Sequence, residues 1–375
     1  MSYDVDITII GAGVVGLAVA SRIAREGREV YILEKNENFG RESSSRNSGT
    51  IHSSVLSPQG SLNARLCLEG RHLIYEICQK HNVDCLRCGK LLVADDDLEI
   101  AGLEAVYKRK DEGTRMQWLT QREMQNLEPE VKGKAGILLP EAGVVDVYGL
   151  MCCYLGLARD KGAQLVCKSE VIGIEKAVEG YRIKIRDADG ISDLQTKIII
   201  NCAGLQSDKV SAMAGIDINK ESYKLSYLKG EYYTICSKKA KRMNRRLVYP
   251  MLRPDRLFCV HTVLDIDGRV RLGPYFYQVE EISYAMDDSK RQIFYEEVKR
   301  NFPSVEYDDI NPESAGVMPR LYGANESFKE FIIRHEQDKG LFGFINLVGI
   351  ETPGVTASPA IARYVSSILD EVLSN

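Results

Sequence analysis

Gly11, Gly13 and Gly16, with Glu34 eighteen residues further on, are the residues whose types and spacing can do chemistry of a definite kind. The first glycine permits a tight turn, the second lets backbone approach a pyrophosphate, and the third lets a helix lie close on a strand. Val14 and Val15 open that helix, so its N–H groups and the positive end of its dipole face the phosphates. A carboxylate at the distance of Glu34, followed by Lys35, accepts hydrogen bonds from a ribose diol. The chemistry is the holding of a dinucleotide. It requires a strand before the glycines, a helix after them and a second strand ending on the acid. Val5-Asp6-Ile7-Thr8-Ile9-Ile10 is an apolar run of the buried-strand type, residues 17–24 have helical apolar spacing, and Glu29-Val30-Tyr31-Ile32-Leu33 runs into Glu34.

A chain of 375 residues is long for one core and predicts two closely joined domains. With 27% charged residues and a net charge of −4, it lacks the basic balance of a general nucleic-acid binder. No apolar stretch approaches the ~20 residues of a membrane span, and the N-terminus lacks the basic-then-apolar layout of a signal peptide. The ten cysteines are scattered. Cys85 and Cys88 form the single CxxC, with no second pair and no histidine at ligand spacing, so no metal site is expected. Reduced thiols point to the cytoplasm.

After Glu34, residues 40–53 form a polar segment dense in small donors, with Arg46 and one of only five histidines, His52. Ser61 reads as the N-cap of a helix over Leu62–His81. Short strands follow from Cys85, including Leu91–Ala94, then helices over Asp97–Glu112 and after Thr120. A turn at Val144-Val145-Asp146 leads into a helix over Tyr148–Lys161 and strands at Gln164–Cys167, Glu170–Lys176, Tyr181–Arg186 and Lys197–Asn201. The last strand runs into Cys202-Ala203-Gly204 and a helix from Leu205, a second strand–glycine–helix junction. Residues 222–340 alternate as strands of a mostly antiparallel sheet. A third junction follows Phe344–Val348 at Gly349-Ile350-Glu351-Thr352, before a helix over Ser358–Leu373. The layout predicts an α/β fold: a Rossmann-type FAD-binding domain of the glutathione-reductase kind, with an inserted α+β substrate domain. The expected division is 1–84, 141–221 and 341–375 for FAD, and 85–140 with 222–340 for substrate.

Several motifs carry a resemblance: the glycine motif with Glu34, Asn47-Ser48-Gly49-Thr50-Ile51-His52-Ser53, Cys88-Gly89-Lys90-Leu91, Gly143-Val144-Val145-Asp146, Asn201-Cys202-Ala203-Gly204-Leu205, His261, Gly273-Pro274 and the tail at 349–360. In these the chain resembles the FAD-dependent D-amino-acid-oxidase superfamily, and within it the L-2-hydroxyglutarate dehydrogenase/oxidase branch. The resemblance implies that Gly11, Gly13, Gly16 and Glu34 hold the ADP half of FAD. It implies that Ser44, Asn47 and Ser48 line the flavin side, and that Val171 lies where backbone contacts adenine. Cys202, Ala203 and Gly204 then close on the phosphates, and Gly349, Ile350, Glu351 and Thr352 carry backbone toward the flavin pyrimidine.

The reaction implied is oxidation of a 2-hydroxy acid to the 2-oxo acid, with hydride passing to flavin N5 and electrons leaving to a quinone, a dye-like acceptor or O2. An amino-acid or amine oxidase, or a glycerol-3-phosphate dehydrogenase, is the alternative on the same scaffold. A hydroxyl must lose its proton as hydride leaves, which makes His261 and His52 candidates for the base. His72, His81 and His335 are read as structural or surface residues. Tyr249 and Tyr275 are candidates to hydrogen-bond substrate. Relatives often carry an arginine that clamps the substrate carboxylate where this chain has Met318 in Ala315-Gly316-Val317-Met318-Pro319-Arg320. On a strand, Arg320 would share the face of Met318; on a turn, Lys229 or Arg253 would have to serve. The run Lys238–Arg246 holds six basic residues in nine and is a candidate peripheral patch for anionic lipid.

Overall fold

A computed structural model describes residues 3–109, 113–236, 240, 243, 245–253, 259–321 and 329–374. In chain order the elements are β1 (Val5–Ile10), α1 (Val14–Ile23), β2 (Val30–Leu33), β3 (Thr50–Ile51), α2 (Leu62–His81), β4 (Cys85–Leu86), β5 (Lys90–Ala94), α3 (Asp97–Tyr107), β6 (Gln117–Thr120), α4 (Gln121–Leu127), β7 (Ala135–Leu139), β8 (Gly143–Val145), α5 (Val147–Arg159) and β9 (Gln164–Val166). There follow β10 (Glu170–Lys176), β11 (Tyr181–Arg186), β12 (Ile191–Asn201), α6 (Ser207–Met213), β13 (Leu225–Ile235), β14 (Leu247–Pro250), β15 (Thr262–Leu264), β16 (Val270–Val279), α7 (Arg291–Asn301), β17 (Ile310–Leu321), β18 (Ile332–His335), β19 (Phe344–Val348) and α8 (Gly354–Ser374).

β9, β2, β1, β12 and β19 lie side by side and parallel. β18 runs antiparallel beside β19, and the β10–β11 hairpin flanks the first half of β12. These strands read as apolar runs because both faces are covered. Ile7, Ile9, Ile32, Ile198, Ile200 and Ile345 pack beneath α1, α2, α5 and α8. The alternate residues Ile10, Leu33, Ile199, Phe344 and Val348 pack on the other face with Val210 of α6. Since β1, β12 and β19 are parallel neighbours, the three glycine junctions that follow them lie along one edge of the sheet, where doubly wound folds bind ligands.

The remaining strands make an antiparallel sheet, β15-β16-β13-β17, a mixed sheet, β14-β5-β7-β6, and the small sheet β3-β8-β4. Leu91, Ile137, Tyr233, Leu272 and Phe294 belong to a core shared by the first two. The capping signals hold locally: Ser61 accepts from the Ala64 N–H, and Thr120 with Glu123 forms a capping box.

Some expectations change. Val144 and Val145 are not a turn; they form β8, which pairs with both β3 and β4, and Asp146 then caps α5. α3 ends at Tyr107, and residues 110–112 of the expected helix lie outside the described residues. α8 starts at Gly354 and runs through Pro359. Proline has no N–H to give the Val355 carbonyl, and the Ser358 hydroxyl donates to that carbonyl instead at 2.9 Å. The expected domain boundary at 340/341 falls inside the β18–β19 hairpin. Of the basic run, only Ala240, Met243, Arg245 and Arg246 are described, and Arg246 pairs with Glu128. Cys85 and Cys88 are free thiols. Among the described residues no helix is long and apolar enough to cross a membrane.

Candidate active site

A cavity of about 470 Å³ opens where the glycine-junction edge of the large sheet meets β5, β14, β16 and β17. At its nucleotide end the glycines divide into two kinds. Gly11 has φ +102°, and a Cβ there would lie 2.5 Å from the Cys202 carbonyl oxygen. A Cβ on Gly16 would lie 2.1 Å from the Gly11 oxygen. Both are required by the protein's own packing. A Cβ on Gly13 would meet only the Ser44 hydroxyl, at 3.0 Å, and one on Gly204 would meet nothing within 4 Å. These two leave backbone bare along the cavity wall, the cradle that a pyrophosphate requires.

The polar groups around this cradle are tied to the fold. Glu34 Oε2 accepts from the Ala12 N–H at 3.0 Å, and Oε1 accepts from the Asn36 backbone at 2.9 Å and its amide at 2.7 Å. Lys35 pairs with Glu42 at 2.8 Å. Ser44 Oγ accepts from the Val14 N–H at 3.0 Å. Asn47 donates to the Ser43 and Ser44 carbonyls and accepts from Gly49 N–H, so it holds its own loop in shape. Ser48 Oγ accepts from Thr50 N–H at 3.4 Å. Val171 is buried in the core outside the cavity, on the strand that follows the Ser169 N–H bond to the Glu34 carbonyl. The Ala203 N–H donates to Asn201 Oδ1. Val14, Val15, Cys202, Gly204, Ile350, Glu351 and Thr352 line the cavity, whereas Gly349, at φ +70°, packs on Leu321. The set fits a dinucleotide: bare backbone at two junctions, a helix N-terminus between them, and a buried carboxylate with lone pairs to spare at the end of β2.

The lining also includes His52, Lys90, Tyr249, His261, Met318 and Arg320. His52 Nδ1 lies 3.4 Å from the Lys90 ammonium and Nε2 3.5 Å from Thr352 Oγ1. An ammonium can only donate, so Nδ1 accepts and Nε2–H gives to Thr352. His261 stacks on Tyr249 with ring centroids 3.7 Å apart, and its Nδ1 lies 3.4 Å from the Cys259 carbonyl. That carbonyl needs an N–H, which leaves Nε2 the lone pair. Desolvation, then the charge on Lys90, pushes His261 down to about 3 and His52 well below the usual histidine range. Desolvation likewise lowers Lys90 from 10.5 to about 8.

β17 is a strand, and its residues 316–320, Met318 and Arg320 among them, all line the cavity. Arg320 Nε is 3.8 Å from Glu351 Oε1, and desolvation, partly offset by Arg320, raises Glu351 to about 7. A Cβ on Gly316 would lie 2.0 Å from the Arg46 carbonyl, so β17 presses directly on the loop that carries Ser44 and Asn47.

Three expected substrate contacts are elsewhere. Lys229 and Tyr275 alternate with Gly230 and Phe276, and it is Gly230, Pro274 and Phe276 that line the cavity. The other face carries Lys229 against Glu231 and the Ala285 carbonyl, and Tyr275 against Phe294. Arg253 pairs with Asp96 at 3.0 Å. Lys90 is the residue that the reading from spacing passed over. Its signal was a charge at the head of β5, every residue of which is buried.

The family of FAD dependent oxidoreductases (DAO) matches residues 6–368. The mitochondrial L-2-hydroxyglutarate dehydrogenase of Arabidopsis thaliana is 30% identical over 97% of this chain and 83% of its own length. The L-2-hydroxyglutarate dehydrogenase of Escherichia coli (strain K12) is 29% identical over 72% of this chain and 63% of its own length. The fold is shared with dithionite-reduced L-α-glycerophosphate oxidase from Mycoplasma pneumoniae, a structure with FAD bound (24% identity, TM-score 0.87, 98% of this chain and 94% of that one). It is shared also with glycine oxidase from Geobacillus kaustophilus (18% identity, TM-score 0.81, 99% and 95%). The chain belongs to the DAO family and is an FAD-dependent oxidoreductase.

Proposed function

We propose that this oxidoreductase converts a small 2-hydroxy acid, L-2-hydroxyglutarate or a close analogue, to the 2-oxo acid. The observation that carries the reading is His261, a neutral imidazole on the cavity wall whose Nε2 has no hydrogen-bond partner among the described residues. A hydroxyl must give up its proton as the C–H bond breaks, whereas the free base of an amine already has a lone pair, so a prepared base favours an alcohol donor. The names of the Arabidopsis and Escherichia coli relatives support the substrate class.

Bound FAD supplies the acceptor for the C2 hydride at flavin N5. Gly11–Gly16, Glu34 and Lys35 would hold its ADP half, Gly204 and Ser44 its phosphates, and Ile350–Thr352 would face the ring. His261 Nε2 takes the hydroxyl proton. His52 is poorly placed to compete, since Lys90 and Thr352 engage both of its nitrogens; its part is to fix the loop that carries Thr352. Tyr249 keeps the His261 ring in place by stacking. The division into an FAD unit and a substrate unit belongs to the same reading, with β18 joining the FAD unit through its pairing with β19. So does delivery of electrons to a quinone, dye-like acceptor or O2, and contact of the Lys238–Arg246 run with anionic lipid, which a vesicle co-sedimentation at low and high salt checks.

Anaerobic bleaching of the flavin by a panel of 2-hydroxy acids, amino acids and glycerol 3-phosphate tests the reaction. Bleaching by an amine or by glycerol 3-phosphate alone overturns it. His261→Asn should slow bleaching ~10²–10⁴-fold, about 3–5 kcal/mol in the barrier, with FAD content unchanged. Because His261 is held near 3, the acid limb of kcat/KM that it causes should lie below about pH 4.

A further inference from the structure

We infer that Lys90 is the group by which this chain anchors the carboxylate of its substrate. The inference rests on the hydroxy-acid reading above and names its anchor. Lys90 is 2% exposed, and among the described residues its ammonium contacts His52 Nδ1, at 3.4 Å, and the Tyr249 ring, 3.9 Å from its centroid. No carboxylate lies within ion-pair distance of it among the described residues. The other deeply buried cations have one: Arg71 sits 2.9 Å from Glu141, and Lys229 3.5 Å from Glu231. A buried charge is ordinarily paired, since its desolvation is otherwise uncompensated. Here three ammonium hydrogens face one protein nitrogen and a ring.

The titratable groups around Lys90 come from every side: His52 after β3, Cys67 on α2, Cys88 before β5, Tyr249 on β14, and Cys259 with His261 before β15. None is a carboxylate. Desolvation raises Cys67 to about 12 and raises Cys88 and Tyr249 as well, so these stay protonated and neutral. What the site lacks is one negative charge with several lone pairs, and it lacks it on the wall of the cavity. Arg320 is already opposite Glu351, and Met318 brings no charge.

The test uses the FAD-loaded enzyme and glutarate, a dicarboxylate with no hydroxyl to oxidise, titrated by its effect on the flavin spectrum. Wild type should bind glutarate. Lys90→Met should bind it about 10- to 100-fold more weakly at unchanged FAD content, and Lys90→Arg within a few-fold of wild type. For the hydroxy acid, Lys90→Met should raise KM far more than it lowers kcat. Melting temperature is the second readout: glutarate should raise it in wild type and in Lys90→Arg but not in Lys90→Met. Equal glutarate affinity in wild type and Lys90→Met overturns the assignment of Lys90 and leaves the hydroxy-acid reading standing. A wild type that binds inorganic phosphate but not glutarate brings down the hydroxy-acid reading, and the carboxylate anchor with it.

Discussion

Two lysines are buried among the described residues, one on each of the two larger substrate-side sheets. Lys229 on β13 faces away from the cavity. Its ammonium gives to the Ala285 carbonyl and lies beside Glu231, whose Oε1 also accepts from Tyr277 at 2.8 Å and from the Asp287 N–H at 3.3 Å. Lys90 on β5 faces the cavity with a neutral histidine and a phenol ring for company. By burial and residue type the two are alike. The counter-charge separates them: one lysine closes a network of the fold, and the other leaves a charge for something outside the chain to answer.

That contrast can be tested through stability. The largest effect is expected from Lys229→Met, which leaves Glu231 fully buried without its cation; loss of one partner from a buried pair costs about 3–5 kcal/mol. Chemical denaturation should show it, and a loss under 1 kcal/mol would erase the difference between the two lysines. Lys90→Met should act the other way and stabilise the protein without substrate. Lowering a lysine from 10.5 to about 8 corresponds to a penalty of about 3 kcal/mol, an upper bound for the gain. Between those two values the unfolded chain holds more protons than the folded one, so stability should rise with pH across that window in wild type. In Lys90→Met this rise should be missing; a profile with the same rise would place the titration elsewhere. The smallest effect is expected from Thr352→Val. It removes the long contact to His52 Nε2, at 3.5 Å, and should cost about 0.5 kcal/mol while leaving the Lys90 profile unchanged.

The nucleotide end was legible because its code is local. A strand end, a glycine turn and a following helix are written close together at 11–16, 202–204 and 349–354, and each junction follows the strand that its spacing gave it. The substrate end is assembled from afar. Lys90 and Tyr249 meet because β5 and β14 pair in parallel, Leu92 opposite Tyr249, across more than 150 residues of chain. No local pattern states that pairing. In β13 and β16 the alternation itself was readable, but a period of two fixes two faces without saying which turns inward. Crowding decides: a Cβ on Gly230 would lie 2.8 Å from the Phe276 ring and 2.9 Å from Pro274, so the bare side of β13 turns toward the cavity and Lys229 is carried to the back. At 315–320 strand and turn were both open from the sequence; only the strand put Arg320 on the side of Met318, and neither disclosed the Glu351 that faces it from the loop after β19.

The pairing of β12 with β1 on one side and β19 on the other also fixes an order of events in time. A ribosome delivers β1 and its glycine turn at the outset and β12 only after residue 190. β19, with the turn that completes the edge, comes after all of β13–β17 has been made. Until β12 is made the Gly11 backbone lacks the Cys202 carbonyl against which it is shaped, and until β19 is made the edge lacks its third turn. Non-local pairing of this kind is slow to form and exposes unpaired strand edges while it waits. Loading of FAD is therefore a late step in the life of each molecule: a chain released after residue 321 should hold no flavin, although it carries both of the first two junctions.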